Sequence, residues 1–131
     1  MSGKSVPTGA SSEYLRDLAV REIDALMKVV AEVRDDLRAY ETVLKRARRD
    51  LQSGVRASDM VARTRAGAVR ASFSHRLEEI ERARAASRFS MWRLQLSEGS
   101  TIADIARAWG FSRQLVSRTL AGQARPDPDS R

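Results

Sequence analysis

An all-α fold is predicted by three observations. Residues 12–51 contain neither glycine nor proline, and their apolar residues recur in alternating steps of three and four. The whole chain of 131 residues holds three prolines and seven glycines, too few for the turn every ~8–12 residues that a sandwich or barrel requires. Near the C-terminus, short amphipathic stretches alternate with helix-capping and turn residues. The predicted architecture is a long N-terminal heptad (coiled-coil) helix, a second basic helix that forms a helical hairpin with it, and a C-terminal domain of three short helices. The boundaries follow composition: a polar tail over 1–11, a helical oligomerisation region over 12–87, a small domain over 88–122, and a tail over 123–131.

Ser11 or Ser12 is placed to cap the first helix. The apolar seam runs Ala19, Ile23, Leu26, Val30, Val33, Leu37, Tyr40, Leu44, Ala47, Leu51. Ile23, Val30, Leu37, Leu44 and Leu51 occupy one core position of the heptad, and Ala19, Leu26, Val33, Tyr40 and Ala47 the other. A helix of ~40 residues is ~60 Å long and needs a partner helix along that length. Val20, Met27, Val29 and Val43 widen the stripe, which points to more than two helices packed together. In a parallel dimer Asp36 meets Glu41 of the other chain, a like-charge contact that an antiparallel dimer or a hairpin avoids.

Gly54, after Gln52 and Ser53, is a left-handed helix stop. Ser58 is the expected cap of the second helix, which runs to about Ser87 with Met60, Val61, Ala62, Ala66, Val69, Phe73, Leu77 and Ile80 on its apolar side. Gly67 is its weak point, at a cost of ~1 kcal/mol in a helix interior.

Several chemistries are excluded by composition. There is no cysteine and one histidine, His75, so disulfide scaffolds, thiol catalysis and histidine-rich metal sites are unavailable. No glycine-rich phosphate loop occurs, so no catalytic residue and no cofactor is expected. Glu78, Glu79 and Glu81 read as a salt-bridged surface rather than a metal site. No apolar run is long enough for a membrane span, and the first residues lack the apolar core of a secretory signal. The expected location is cytoplasmic, with the nucleoid. Net charge is +7, and six of these seven charges fall after residue 53, a distribution suited to a polyanion partner. Arginines 56, 63, 65, 70, 76, 82, 84 and 88 are either a second nucleic-acid surface or a solvated helix face.

The sharpest pattern lies over residues 88–122. Phe89, Trp92 and Leu96 line a first short helix, stopped at Glu98-Gly99. Thr101 and Asp104 form a capping box for a second, whose inward residues are Ile102, Ile105, Ala106 and Trp109. Gly110 supplies a tight turn with positive φ, and Phe111 packs beneath it. Ser112 caps a third helix with Leu115, Val116, Thr119 and Leu120 inward, ending at Gly122. Trp92 and Trp109 read as core residues. A small residue four before the turn glycine, and branched apolar residues six and ten after it, match what two crossed helices need.

The string T-I-A-D-I-A-R-A-W-G-F-S-R-Q-L-V-S-R-T-L resembles the helix-turn-helix DNA-binding domains of the resolvase/invertase recombinases, which are homeodomain-like, and more loosely the sigma-factor region that reads promoter DNA. The resemblance covers about a quarter of the chain. It implies that the third helix enters the major groove, and it does not imply recombination. On that helix Arg113, Gln114, Ser117 and Arg118 face outward and are the expected base contacts, since arginine pairs with guanine and glutamine with adenine. Arg93, Thr101, Arg107 and Ser112 are the expected phosphate contacts.

The expected function is sequence-specific binding of double-stranded DNA by a dimeric transcriptional regulator that pairs through residues 15–51, with helix 112–121 in the groove. A plasmid or phage maintenance protein, or a nucleoid-architectural one, is the first alternative. A coiled-coil protein-interaction module is the second. No small-molecule ligand is indicated.

Overall fold

The computed structural model describes residues 11–122. Of these, 88% are helical and none lies in a strand. The helices are α1 (Ser12–Gln52), α2 (Ala57–Thr64), α3 (Ala66–Ser97), α4 (Ile102–Trp109) and α5 (Arg113–Gly122). No helix among the described residues is long and apolar enough to cross a membrane. The segments 1–10 and 123–131, expected to be unstructured tails, lie outside the described residues. The contacts group into two units, one of residues 25–84 and one that joins 11–24 with 85–122.

In the 25–84 unit, α1 and the first half of α3 pair antiparallel. Tyr40 stacks on Phe73 with ring centroids 5.4 Å apart. Beside this pair Arg76 ties the helices together. Its Nε donates to Asp36 Oδ2 at 2.6 Å, and its Nη1 donates to Glu32 Oε1 at 2.9 Å and to Glu79 Oε1 at 2.6 Å. The hydrogen bond to Asp36, and after it that to Glu79, holds the Arg76 guanidinium above its ordinary pKa, against a lowering by desolvation. Towards the end of α1, Arg63 approaches Asp50 at 3.6 Å. Two residues of the acidic cluster on α3 are ion-paired, Glu79 with Arg76 and Glu81 with Arg84 at 2.7 Å, while Glu78 is exposed with no ion pair among the described residues. His75 is exposed, 3.7 Å from Glu79.

The two core positions of the heptad part company here. Leu26, Val33 and Ala47 are half-buried, and so are Val29 and Val43 beside them, whereas Val30, Leu37, Leu44 and Leu51 remain exposed. The sequence treats both positions as one seam. In the fold, one edge of the stripe faces the chain's own helix and the other faces outward.

The connection between the helices differs from expectation in two respects. Gly54 stops α1 with φ 93°, and Val55 N donates to Asp50 O at 2.9 Å, which satisfies a terminal carbonyl. The next helix begins at Ala57 after an extended Arg56, not after Ser58, and no side chain caps it. It then breaks at Arg65, a left-handed residue with φ 54°. Gly67, the expected weak point, lies within α3. Arg65 is bonded through its N–H to Ala62 O, so the break is held by backbone bonding at a residue with no intrinsic preference for that conformation.

In the other unit the last three turns of α3 are covered on two opposite faces. Leu94, flanked by Met91, packs against Leu15 and Ala19 of α1. Small buried side chains, Ser87 and Ser90, share that face. The opposite face carries Trp92, 1% exposed, which packs with Ile105, Ala106 and Val116 of α4 and α5 and with the flanking Ile102, Phe111 and Leu120. Ser11 caps α1 by accepting from Tyr14 N at 3.1 Å. Ser12 meets Ser97 at 3.3 Å, and Arg16 pairs with Glu98. The separate short helix expected from Phe89 does not exist, because α3 runs unbroken from Ala66 to Ser97. No breaker stands near Ser87, and the alanines and arginines there are good helix formers.

Candidate nucleic-acid interface

α4 and α5 are joined by residues 110–112. Thr101 starts α4 with a complete capping box: Asp104 N donates to Thr101 Oγ1 at 3.0 Å, and Thr101 N donates to Asp104 Oδ2 at 2.9 Å. The Thr101 backbone N–H, aided by its hydroxyl and by Arg107, keeps the Asp104 carboxyl below the ordinary carboxylate range. Gly110 ends α4 at φ 79°, with its own N–H and that of Phe111 both reaching Ala106 O. Ser112 then caps α5 by accepting from Leu115 N at 3.0 Å.

This local chemistry fixes which side of α5 is free. Val116 is fully buried, and Leu115, Thr119 and Leu120 are half-buried. Arg113, Gln114, Ser117 and Arg118 are all exposed. At ~100° per residue these four span an arc of about 140° on the opposite side. Neither Arg113 nor Arg118 pairs with a carboxylate among the described residues. Residues 105–122 contain three arginines and no acidic residue. Such a face offers guanidinium and amide donors with no carboxylate paired to them among the described residues.

The four expected phosphate residues are less alike. Ser112 is exposed, and its oxygen is engaged by Leu115 N while its hydrogen stays available to donate. Arg93 is half-buried over the Phe89 ring at 5.7 Å. Arg107 is exposed but bonded to Asp104 Oδ1 at 2.7 Å. Thr101 stands beside that same carboxylate. A charged Asp104 repels an approaching phosphate, so the α4 start is a weaker anion site than the α5 start.

Trp109 is not a core residue. It is 40% exposed, meets Trp92 edge-on at 6.2 Å, and donates from its indole Nε1 to Gln95 Oε1 at 3.0 Å. It sits in the last turn of α4, where the polar edge of the ring reaches α3 and one side stays open. Leu96, expected on the Trp92 face, is exposed, and Leu94 is buried instead. Arg88, which sequence reasoning placed in a basic run, lies over Phe111 at 5.2 Å and Trp92 at 5.9 Å. Its spacing of four before Trp92 was the available signal. The Trp92 Nε1 is buried with no acceptor among the described residues.

Comparison with protein-family models, with curated proteins and with solved structures finds no match to this chain.

Proposed function

We propose that this chain is a sequence-specific double-stranded DNA-binding protein, a homodimeric regulator in which α4 and α5 act as a helix-turn-helix and α5 enters the major groove. The observation that carries this reading is the exposed face of α5 with Arg113, Gln114, Ser117 and Arg118, whose arginines have no carboxylate partner among the described residues, set on a buried Val116. A rigid helix bearing planar donors suits the base edges of the wide groove. Ser112 and Arg93 serve the phosphates, and Arg107 joins them only by releasing Asp104. Pairing two such heads through α1, within residues 15–51, raises the affinity of short recognition helices.

The test starts from duplexes selected out of a random pool by the full chain. Arg113→Ala and Arg118→Ala are each expected to weaken binding to the selected site by roughly 10- to 100-fold, the loss of one bidentate base contact. Unchanged affinity in both variants overturns the groove assignment.

One observation favours a second, architectural reading. Residues 25–84 carry fourteen cations against nine carboxylates, and Arg56, Arg65, Arg70 and Arg82 are exposed with no carboxylate partner among the described residues. A footprint separates the two: one short palindrome supports the regulator, and long protected arrays support the architectural protein.

A further inference from the structure

We infer that the outward stripe of α1 in the 25–84 unit seats the α1 helix of a second copy of this chain, running antiparallel and centred on Leu37. The inference rests on the dimeric reading above and gives it a face and a direction.

The stripe is a vacancy along one side of a two-sided helix. Val30, Leu37 and Leu44 are between 46% and 50% exposed, and Met27 is 63% exposed. Their spacing is that of a helix–helix seam, while the neighbouring positions Val29, Val33 and Val43 are half-buried. At the middle of the stripe Val30, Val33, Arg34, Leu37, Arg38 and Glu41 line a shallow depression on α1, the form of hole that receives a partner's side chain.

Charge selects the occupant and its direction. Before Leu37, α1 carries seven carboxylates against four cations; after it, five cations against two carboxylates. The helix is neutral overall and oppositely charged at its two ends. It is therefore complementary to itself only when turned end for end. The seam repeats this locally. With Leu37 opposite Leu37, Val30 meets Leu44, and Arg34 meets Glu41 twice across the two-fold axis. A parallel pair in register sets Arg34 on Arg34, Glu41 on Glu41 and Arg48 on Arg48, each a like-charge contact. Opposed signs favour one direction and repulsion penalises the other.

The chain has no cysteine, so introduced thiols report geometry directly. Light scattering of the full chain is expected to give a dimer. Under mild oxidation Leu37→Cys is expected to cross-link, Val30→Cys alone not to, and a mixture of Val30→Cys with Leu44→Cys to form the mixed disulfide. In the antiparallel pair the two Val30 positions stand about 21 Å apart along the axis, beyond disulfide reach. Leu37→Glu, at a solvent-facing position, is expected to keep its helical circular dichroism and to raise the dimer dissociation constant by about 100-fold, since two carboxylates then meet on the axis. A monomer mass for the unmodified chain, or Val30→Cys cross-linking as readily as the mixed pair, overturns the inference. A dimer with these cross-links and no affinity for any selected duplex supports it and removes the DNA reading. Tight binding of a selected site by a chain that stays monomeric overturns it and leaves that reading standing.

Discussion

Arg113 and Arg118 are exposed and make no ion pair among the described residues, in contrast to Val116 and Leu120, which pack α5 onto the core. Replacing either with alanine is expected to change thermal stability by no more than about 0.5 kcal/mol, so a loss of DNA affinity in those variants reports the interface alone. Asp104 is the opposite case. Its carboxylate is held by the Thr101 N–H and hydroxyl, so its folded-state pKa lies below its unfolded one. The stability it contributes is present at neutral pH, above the unfolded value, and is lost as pH falls through the folded value. Asp104→Asn is expected to be less stable than the parent at pH 7 and to lose less of its remaining stability between about pH 5 and pH 2, read by thermal melts across that range. Thr101→Ala removes the other half of the box, at a cost of about 1 kcal/mol.

At the scale of elements, α4 and α5 were legible, whereas α2 and the long helices were legible only in part. Thr101, Asp104, Gly110 and Ser112 act within four residues of their own positions, and such caps are written in sequence. The break at Arg65 is not. No glycine or proline marks it, and the strain of its left-handed backbone is set against the packing of α2 and α3 on α1. Arg65→Gly relieves that strain, which costs ~1–2 kcal/mol for an L-residue, at the expense of a more flexible unfolded chain. It is expected to raise stability by about 0.5–1 kcal/mol, seen as a higher melting temperature. Ile105 is fully buried in the cluster with Trp92 and Val116, so Ile105→Ala is expected to cost about 2–5 kcal/mol and, if α5 reads DNA as proposed, to abolish that binding by freeing α4 from α5.

For the whole molecule, the distribution of charge matters more than its sum. Residues 85–122 carry five cations against two carboxylates, fewer in absolute terms than residues 25–84. If α5 reads the DNA, affinity for the selected site falls with salt at a logarithmic slope of about 0.9 for each phosphate neutralised, and Arg70→Ala leaves that slope unchanged. A slope lowered by about one in Arg70→Ala places the 25–84 unit on the DNA as well. Gel-shift titrations over a range of salt concentrations decide between these outcomes.

The sequence by itself determined the helical class, the heptad stripe of α1, the caps and turn around α4 and α5, and which side of α5 carries the arginines. These depend on contacts within about one helical turn, where residue type and spacing suffice. The tertiary structure alone decided that α3 continues through Ser87 to Ser97, that Leu94 rather than Leu96 is buried, that Trp109 stays half outside, and that α3 takes one edge of the heptad stripe and leaves the other bare. Periodicity gives an apolar stripe a direction on its own helix. It does not say which neighbour will cover it, because packing between residues forty or more positions apart is non-directional and is settled by what else the chain brings to the same place.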